Sequence, residues 1–190
     1  MGTYLTPEEA FGGISTIPQG LDRAARTPNG IAVLDRDLNE RLLPYADLEV
    51  AARRVAAGLR ERGVLAGDPV CLLGSTSPEI LVSLFGVWRA GAIPSVVALP
   101  RRVDLQTYLD DVAGRIDTAG AKLLAVDDGL LSPELPLDRV SAPVIGLREL
   151  VADEPIDEPT PSDPNAFALL QFTSGTTAGS RAVSSQNRLR

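Results

Sequence analysis

Apolar residues fall along this chain in blocks whose spacing separates helices from strands. Leu48, Ala52, Val55 and Leu59 recur at i, i+4, i+7 and i+11. That single stripe predicts an amphipathic helix opening near Leu43–Leu48 and closed by a left-handed Gly63. Glu49 and Arg53 stand four apart on its polar side and are expected to pair. Residues 69–73 form an uninterrupted apolar run, the pattern of a strand covered on both faces. Ser77-Pro78 reads as a cap with proline at the first helical position, and Gly91 closes the helix that follows. Ile80, Leu81, Leu84, Phe85 and Trp88 mark its apolar face. Residues 93–99 read as the next strand. Asp104 caps a further helix carrying Leu105, Tyr108, Leu109, Val112 and Ile116 up to Gly120. Strands follow at 122–126 and 143–145.

Strand starts near 69, 93 and 122 leave room for one helix in each crossover. That is the βαβ unit, so the expected fold class is α/β: a three-layer, mostly parallel sheet with right-handed connections. The flanks are less regular. Residues 1–17 show no period and read as an arm. Residues 19–26 could form a short helix before the Thr27-Pro28-Asn29-Gly30 turn, with short strands at 31–34 and 41–43. Cys71 and Trp88 are most simply core residues. Residues 151–165 hold four prolines and five acids and read as an extended, solvated connector. Residues 166–172 then return to the core as an apolar run without alternation, expected to be a fully buried strand. The expected organisation is a βαβ subdomain over 1–150, an acidic linker over 151–165, and a strand plus loop over 166–190.

Composition narrows the functions. With 44% apolar and 23% charged residues, 190 residues match an ordinary globular protein. A net charge of −7 argues against nucleic acid as a partner, because no basic stripe exists to displace counterions. A single cysteine excludes an internal disulfide and fits a reducing cytoplasm. The absence of histidine excludes Ser–His triads and His-ligated metals within the chain. No apolar window reaches the length of a membrane span. The opening Met1-Gly2-Thr3-Tyr4-Leu5-Thr6 matches the myristoylation pattern, but nothing basic follows it, and the match is read as accidental.

The candidate chemistry lies in the nine residues 173–181, which hold five hydroxyls, two glycines and one guanidinium. A strand feeding such a loop can hold phosphate. Glycines permit close backbone approach, successive N–H groups form an anion nest, and Arg181 supplies a charge that persists at any working pH. The loop is not a Walker A, which requires G-x-x-x-x-G-K-[ST]. A flexible surface loop is the other reading of the same composition.

Leu170-Gln171-Phe172-Thr173-Ser174-Gly175-Thr176-Thr177 resembles the phosphate-binding signature of the adenylate-forming enzymes, which include acyl-CoA synthetases, fatty acyl-AMP ligases and peptide-synthetase adenylation domains. The second half of the signature departs: Ala178, Ser180, Arg181 and Ala182 replace glycine, proline, lysine and glycine. Leu43–Leu48 and Trp88-Arg89-Ala90-Gly91-Ala92 resemble the family's two preceding motifs, in the family's order. The resemblance implies the first part of the family's large N-terminal domain, an N-terminal portion of an ATP-dependent acid ligase that is incomplete for catalysis alone. It implies ATP and Mg2+ as cofactors, and a carboxylic acid as co-substrate. Thr173, Ser174, Gly175, Thr176, Thr177 and Gly179 would cradle the phosphates, Thr177 would reach the metal, and Arg181 would act in catalysis. The motif's Gln171-Phe172 and its altered second half lean toward the fatty acyl-AMP ligase branch. Two alternatives stand beside this: a degenerate or split domain that binds a complementary chain or itself, and a free-standing flavodoxin-like binder.

Overall fold

The computed structural model describes residue 12 and residues 14–34, 38–97, 99, 104–158, 160–161, 163–172 and, for the backbone alone, 182–186. Its centre is a four-stranded parallel sheet in the order β4-β3-β5-β6. These strands are β3 (Pro69–Leu73), β4 (Ile93–Val97), β5 (Leu123–Val126) and β6 (Val144–Gly146). Val70, Cys71, Leu72 and Leu73 are fully buried, so the unbroken apolar run does belong to a central strand with a layer on each face.

Helices α2 (Tyr45–Glu61) and α3 (Pro78–Arg89) cover one face, packing Val55, Ala56, Leu59, Ile80 and Val87 against Val70, Leu72, Leu123 and Ala125. Helix α4 (Leu105–Ala119) covers the other, setting Tyr108, Val112 and Ile116 against Cys71, Leu73, Leu124 and Val126. The chain leaves β3 for one neighbour through α3 and returns past it through α4. The result is the expected three-layer parallel sheet, and its winding to both sides of β3 makes it doubly wound. A shorter helix, α1 (Ile17–Ala24), and an antiparallel ribbon of β1 (Gly30–Leu34) and β2 (Glu40–Pro44) pack on the outer side of α2, around Leu21, Leu48 and Ala52.

The local signals act as their chemistry dictates. Ser77 Oγ accepts from the Ile80 N–H at 3.2 Å, and Asp104 accepts from the Thr107 N–H at 2.9 Å. Gly120 takes φ +59 to end α4. The α2 stripe is buried as expected at Leu48, Ala52, Val55 and Leu59.

Three expectations need correction. The buried face of α3 is Ile80, Ser83, Gly86, Val87 and Arg89, rotated from the expected one, while Leu81, Leu84, Phe85 and Trp88 are half-buried. The cause is a close helix crossing: a Cβ on Gly86 would run into the Val55 side chain, so α3 turns its small residues toward α2. Glu49 and Arg53 do not pair. Glu49 turns to Arg89 at 3.2 Å, and Arg53 Nε donates to the Ile156 carbonyl at 2.6 Å. Strand β7 (Phe167–Phe172) is not fully buried: Ala168 is, but Phe167 is 50% exposed. It pairs antiparallel with β8 (Ala182–Gln186), a strand the hydrophobic pattern did not reveal.

The acidic stretch after residue 150 has no regular structure over its described residues, yet it does not float. Arg53 and Arg60 on α2 donate to the carbonyls of Ile156, Asp157 and Glu158, and Arg60 also reaches the Thr160 hydroxyl at 2.7 Å. Half-buried Ile156 packs against the core. Among the described residues no helix is long and apolar enough to cross a membrane.

Candidate functional site

Strand β7 delivers the candidate loop, and its neighbours are set by the strand's own residues. The Phe172 and Ala182 Cα atoms are ladder partners, so residues 173–181 join two strand ends that face each other. Thr173, Ser174, Gly175, Thr176, Thr177, Gly179 and Arg181 lie outside the described residues. What the structure places is the frame on either side of them.

Two side chains grip that frame. The Trp88 indole N–H, near the end of α3, donates to the Ala168 carbonyl at 2.5 Å. At the other end of β7 the Arg115 guanidinium lies 5.6 Å from the centre of the Phe172 ring, within cation–π range. Asp111 holds Arg115 at 2.8 Å from Nε, one turn back along α4. A cleft of about 270 Å³ opens beside the start of β7, lined by Trp88, Gly91, Pro161, Asp163, Ala166 and Phe167 among others.

The residues following Trp88 form a junction. Arg89 is 1% exposed and pairs with Asp22 of α1 and Glu49 of α2. The Ala90 carbonyl accepts from the Thr160 hydroxyl at 3.0 Å, and the Arg89 carbonyl from the Thr160 N–H at 3.2 Å. Gly91 adopts φ +76, and a Cβ there would meet Thr160 Cγ2 at 2.8 Å. The motif therefore does more than pack a helix on a sheet. It ties α1, α2, α3 and the segment leading to β7 into one unit. Sequence reasoning missed this role. The one available signal was an arginine inside an otherwise apolar and small-residue run.

Three of the described titratable groups have displaced pKa values. Burial raises the Cys71 thiol from 9.0 to about 12, with the neighbouring Ser95 hydroxyl on β4 pulling partway back. Burial likewise raises Tyr108 to about 12, with Arg115 opposing and Asp111 adding to the shift. Asp104 is lowered by the N–H and hydroxyl of Thr107 that it caps. None of these is a poised acid or base; each is a consequence of packing or capping. Among the described residues no group of three or more cysteine, aspartate or glutamate side chains could hold a metal ion.

A doubly wound sheet running into an antiparallel hairpin is the architecture of the N-terminal subdomain of adenylation domains. The chain superimposes on the adenylation domain of a keto acid-selecting peptide-synthetase module bound to keto acyl adenylate with a TM-score of 0.80, at 23% identity, over 98% of this chain and 34% of that one. It matches the fatty acyl-adenylate ligase of L. pneumophila, in complex with acyl adenylate and pyrophosphate, with a TM-score of 0.76 at 20% identity, over 94% of this chain and 31% of that one. In sequence it is 37% identical over 142 residues to phenyloxazoline synthase MbtB of Mycobacterium tuberculosis, covering 74% of this chain and 9% of that protein. It is 30% identical over 176 residues to the second subunit of the surfactin synthase of Bacillus subtilis, covering 88% of this chain and 5% of that protein. The pattern of the AMP-binding enzyme family matches residues 21–185. The chain belongs to that family of adenylate-forming enzymes. It spans less than a tenth of the curated relatives above and about a third of the solved structures.

Proposed function

We propose that this chain supplies the N-terminal part of an ATP-dependent ligase that activates a carboxylic acid, of the fatty or other acyl type, as an acyl-adenylate. In that reaction a carboxylate oxygen bonds to the α-phosphorus while the α–β phosphoanhydride bond breaks, and pyrophosphate leaves with the bonding electrons. Thr173 to Thr177 and Gly179 would hold the β- and γ-phosphates through backbone N–H and hydroxyl groups. Thr177 would offer its hydroxyl to Mg2+, whose contribution is to neutralise phosphate charge. Arg181 would offset the charge that builds on the departing pyrophosphate. The observation that carries this reading is the family match over residues 21–185 together with a Thr-Ser-Gly-Thr-Thr run between the paired ends of β7 and β8. The single buried thiol fits work in the reducing cytoplasm.

The test is calorimetric titration of the chain with ATP and Mg2+. Arg181→Ala should weaken binding about fivefold and Arg181→Lys by less, because lysine keeps the charge but loses the bidentate fork. The difference should shrink as salt rises through the range where the screening length falls below about 10 Å. Equal affinities for all three proteins would remove Arg181 from the site.

A second reading, a non-catalytic or split domain that binds a complementary chain or itself, draws on exposed apolar residues. Leu34 and Leu42 share the outer face of the β1–β2 ribbon at 54% and 57% exposure, and Phe167 on β7 is 50% exposed. Light scattering at tens of micromolar distinguishes it. A strictly monomeric particle that binds no hydrophobic dye removes self-association, and binding of ATP with Mg2+ favours the ligase.

A further inference from the structure

Strand β7 is the only described element entering residues 173–181 from the core, so whatever fixes β7 fixes where that loop begins. Its ladder partner among the described strands is β8, which lies beyond the same loop. A two-stranded ribbon of this kind is marginal without support from its surroundings. Strand β4 lies against β7, and further support comes from both helical layers. Trp88 reaches from α3 to the Ala168 carbonyl, and Arg115 reaches from α4 to the Phe172 ring, the last residue before Thr173. The two contacts are four residues apart along the strand, a separation of about 13 Å, so together they fix its direction as well as its position.

Both side chains are themselves held. Phe85 meets the Trp88 ring edge-on, with centroids 5.2 Å apart, and Asp111 sets the Arg115 guanidinium. A core-filling role does not explain Trp88. Its ring is only half-buried, lines the cleft beside β7, and spends its one polar atom on the strand backbone. Phenylalanine would keep an aromatic ring beside Phe85 but leave the Ala168 carbonyl without this donor.

We infer that Trp88 and Arg115 are positioning residues for the phosphate loop, acting through β7 rather than by touching nucleotide. The inference rests on the reading of 173–181 as that loop. Loss of either anchor should loosen the β7–β8 ribbon and lower phosphate affinity, while the parallel sheet and its helices stay as they are.

Hydrogen–deuterium exchange and calorimetry with inorganic tripolyphosphate test this on the full chain. Trp88→Phe should raise amide exchange across 167–172 and 182–186 about fivefold, the worth of one net hydrogen bond. Arg115→Leu should raise it by about two- to fivefold, the range of a cation–π contact, and Arg115→Lys should restore most of the protection. Exchange in β3 and β5 should not change. Tripolyphosphate affinity should fall in step with the ribbon's protection. In wild type and Arg115→Lys, Trp88 is the sole tryptophan and should report binding by a change in its emission. Unchanged ribbon exchange in both Trp88→Phe and Arg115→Leu overturns the anchoring, whether or not the wild type binds. Looser ribbons with undiminished affinity overturn the positioning role. A wild type that binds no tripolyphosphate, with ribbons that still loosen, overturns the phosphate reading and leaves the anchor standing.

Discussion

Arg89 is the residue on which the outer layer depends. Its guanidinium is buried between Asp22 and Glu49, and its Nε finds no partner among the described residues. A buried ion pair contributes little net stability over an apolar replacement, but removing one partner strands the other's charge. Arg89→Ala leaves the Glu49 carboxylate, 17% exposed, without its cation. The expected loss is about 3 kcal/mol, measured as a shift of the urea midpoint. Arg89→Met combined with Glu49→Leu should recover most of it, since both charges go together; a double variant as unstable as the single would show that the deficit is packing. Gly86 makes a different kind of demand. Because Val55 occupies the space a methyl would need, Gly86→Ala should cost about 1–3 kcal/mol by overpacking. Melting temperature reads this directly, and an unchanged value would mean that α2 and α3 can separate at no cost.

At the scale of elements, helices and central strands were legible because each carries its own periodicity, and their packing only had to agree with it. The α2 stripe, the caps at Ser77 and Asp104, and the buried β3 run are all local signals. What was not legible is what one element asks of another. Glu49 and Arg53 have the spacing of a helical pair, but Arg89 offers Glu49 a buried partner and the 156–158 carbonyls offer Arg53 a fixed one. The rotation of α3 follows from a glycine facing a valine on a different helix. Strand β8 carries Ser184, Ser185 and Gln186, too polar to be distinguished from loop, and is defined by pairing with β7. In the candidate site, the signature was legible as letters, whereas its anchors on α3 and α4 depend on tertiary contact. The same logic applies to the acidic segment. Composition marks it as solvated, yet the arginines of α2 hold its backbone and leave its carboxylates to water. Arg53→Ala with Arg60→Ala should therefore free it: proteolysis at the bonds preceding Asp153 or Asp157 should accelerate about tenfold or more, as four charge-assisted hydrogen bonds are lost. Cleavage as slow as in wild type would mean that Ile156 and the backbone hydrogen bonds of Ala152, Ile156 and Thr160 suffice to hold the segment.

The whole molecule has an unusual inventory of protons. It has no histidine, and of its 18 cationic side chains only Lys122 is a lysine. Arginine holds its charge throughout the accessible range. Little therefore titrates between about pH 5.5 and 8.5, and folding stability should be flat there. Above that window two core groups dominate. Cys71 rises from 9.0 to about 12 and Tyr108 from 10.0 to about 12 because burial opposes their charged forms. Both stay protonated in the native state while the unfolded chain gives up its protons, so the unfolded state binds fewer protons and gains with rising pH. The stabilisation is intact below pH 9 and is lost progressively toward pH 12. Each group contributes a slope of up to about 1.4 kcal/mol per pH unit, additive above pH 10. Against a typical domain stability of about 5–15 kcal/mol, that is enough to bring unfolding within the alkaline range. Both groups sit on the same side of the sheet, Tyr108 on α4 and Cys71 beneath it, so unfolding should begin with that layer. Urea titrations at pH 7, 9, 10 and 11 should show a plateau followed by a steepening fall. In the Cys71→Ala, Tyr108→Phe variant the starting value should be lower and the fall shallower. An equal slope in the variant would assign the alkaline loss to surface charge rather than to these two buried groups.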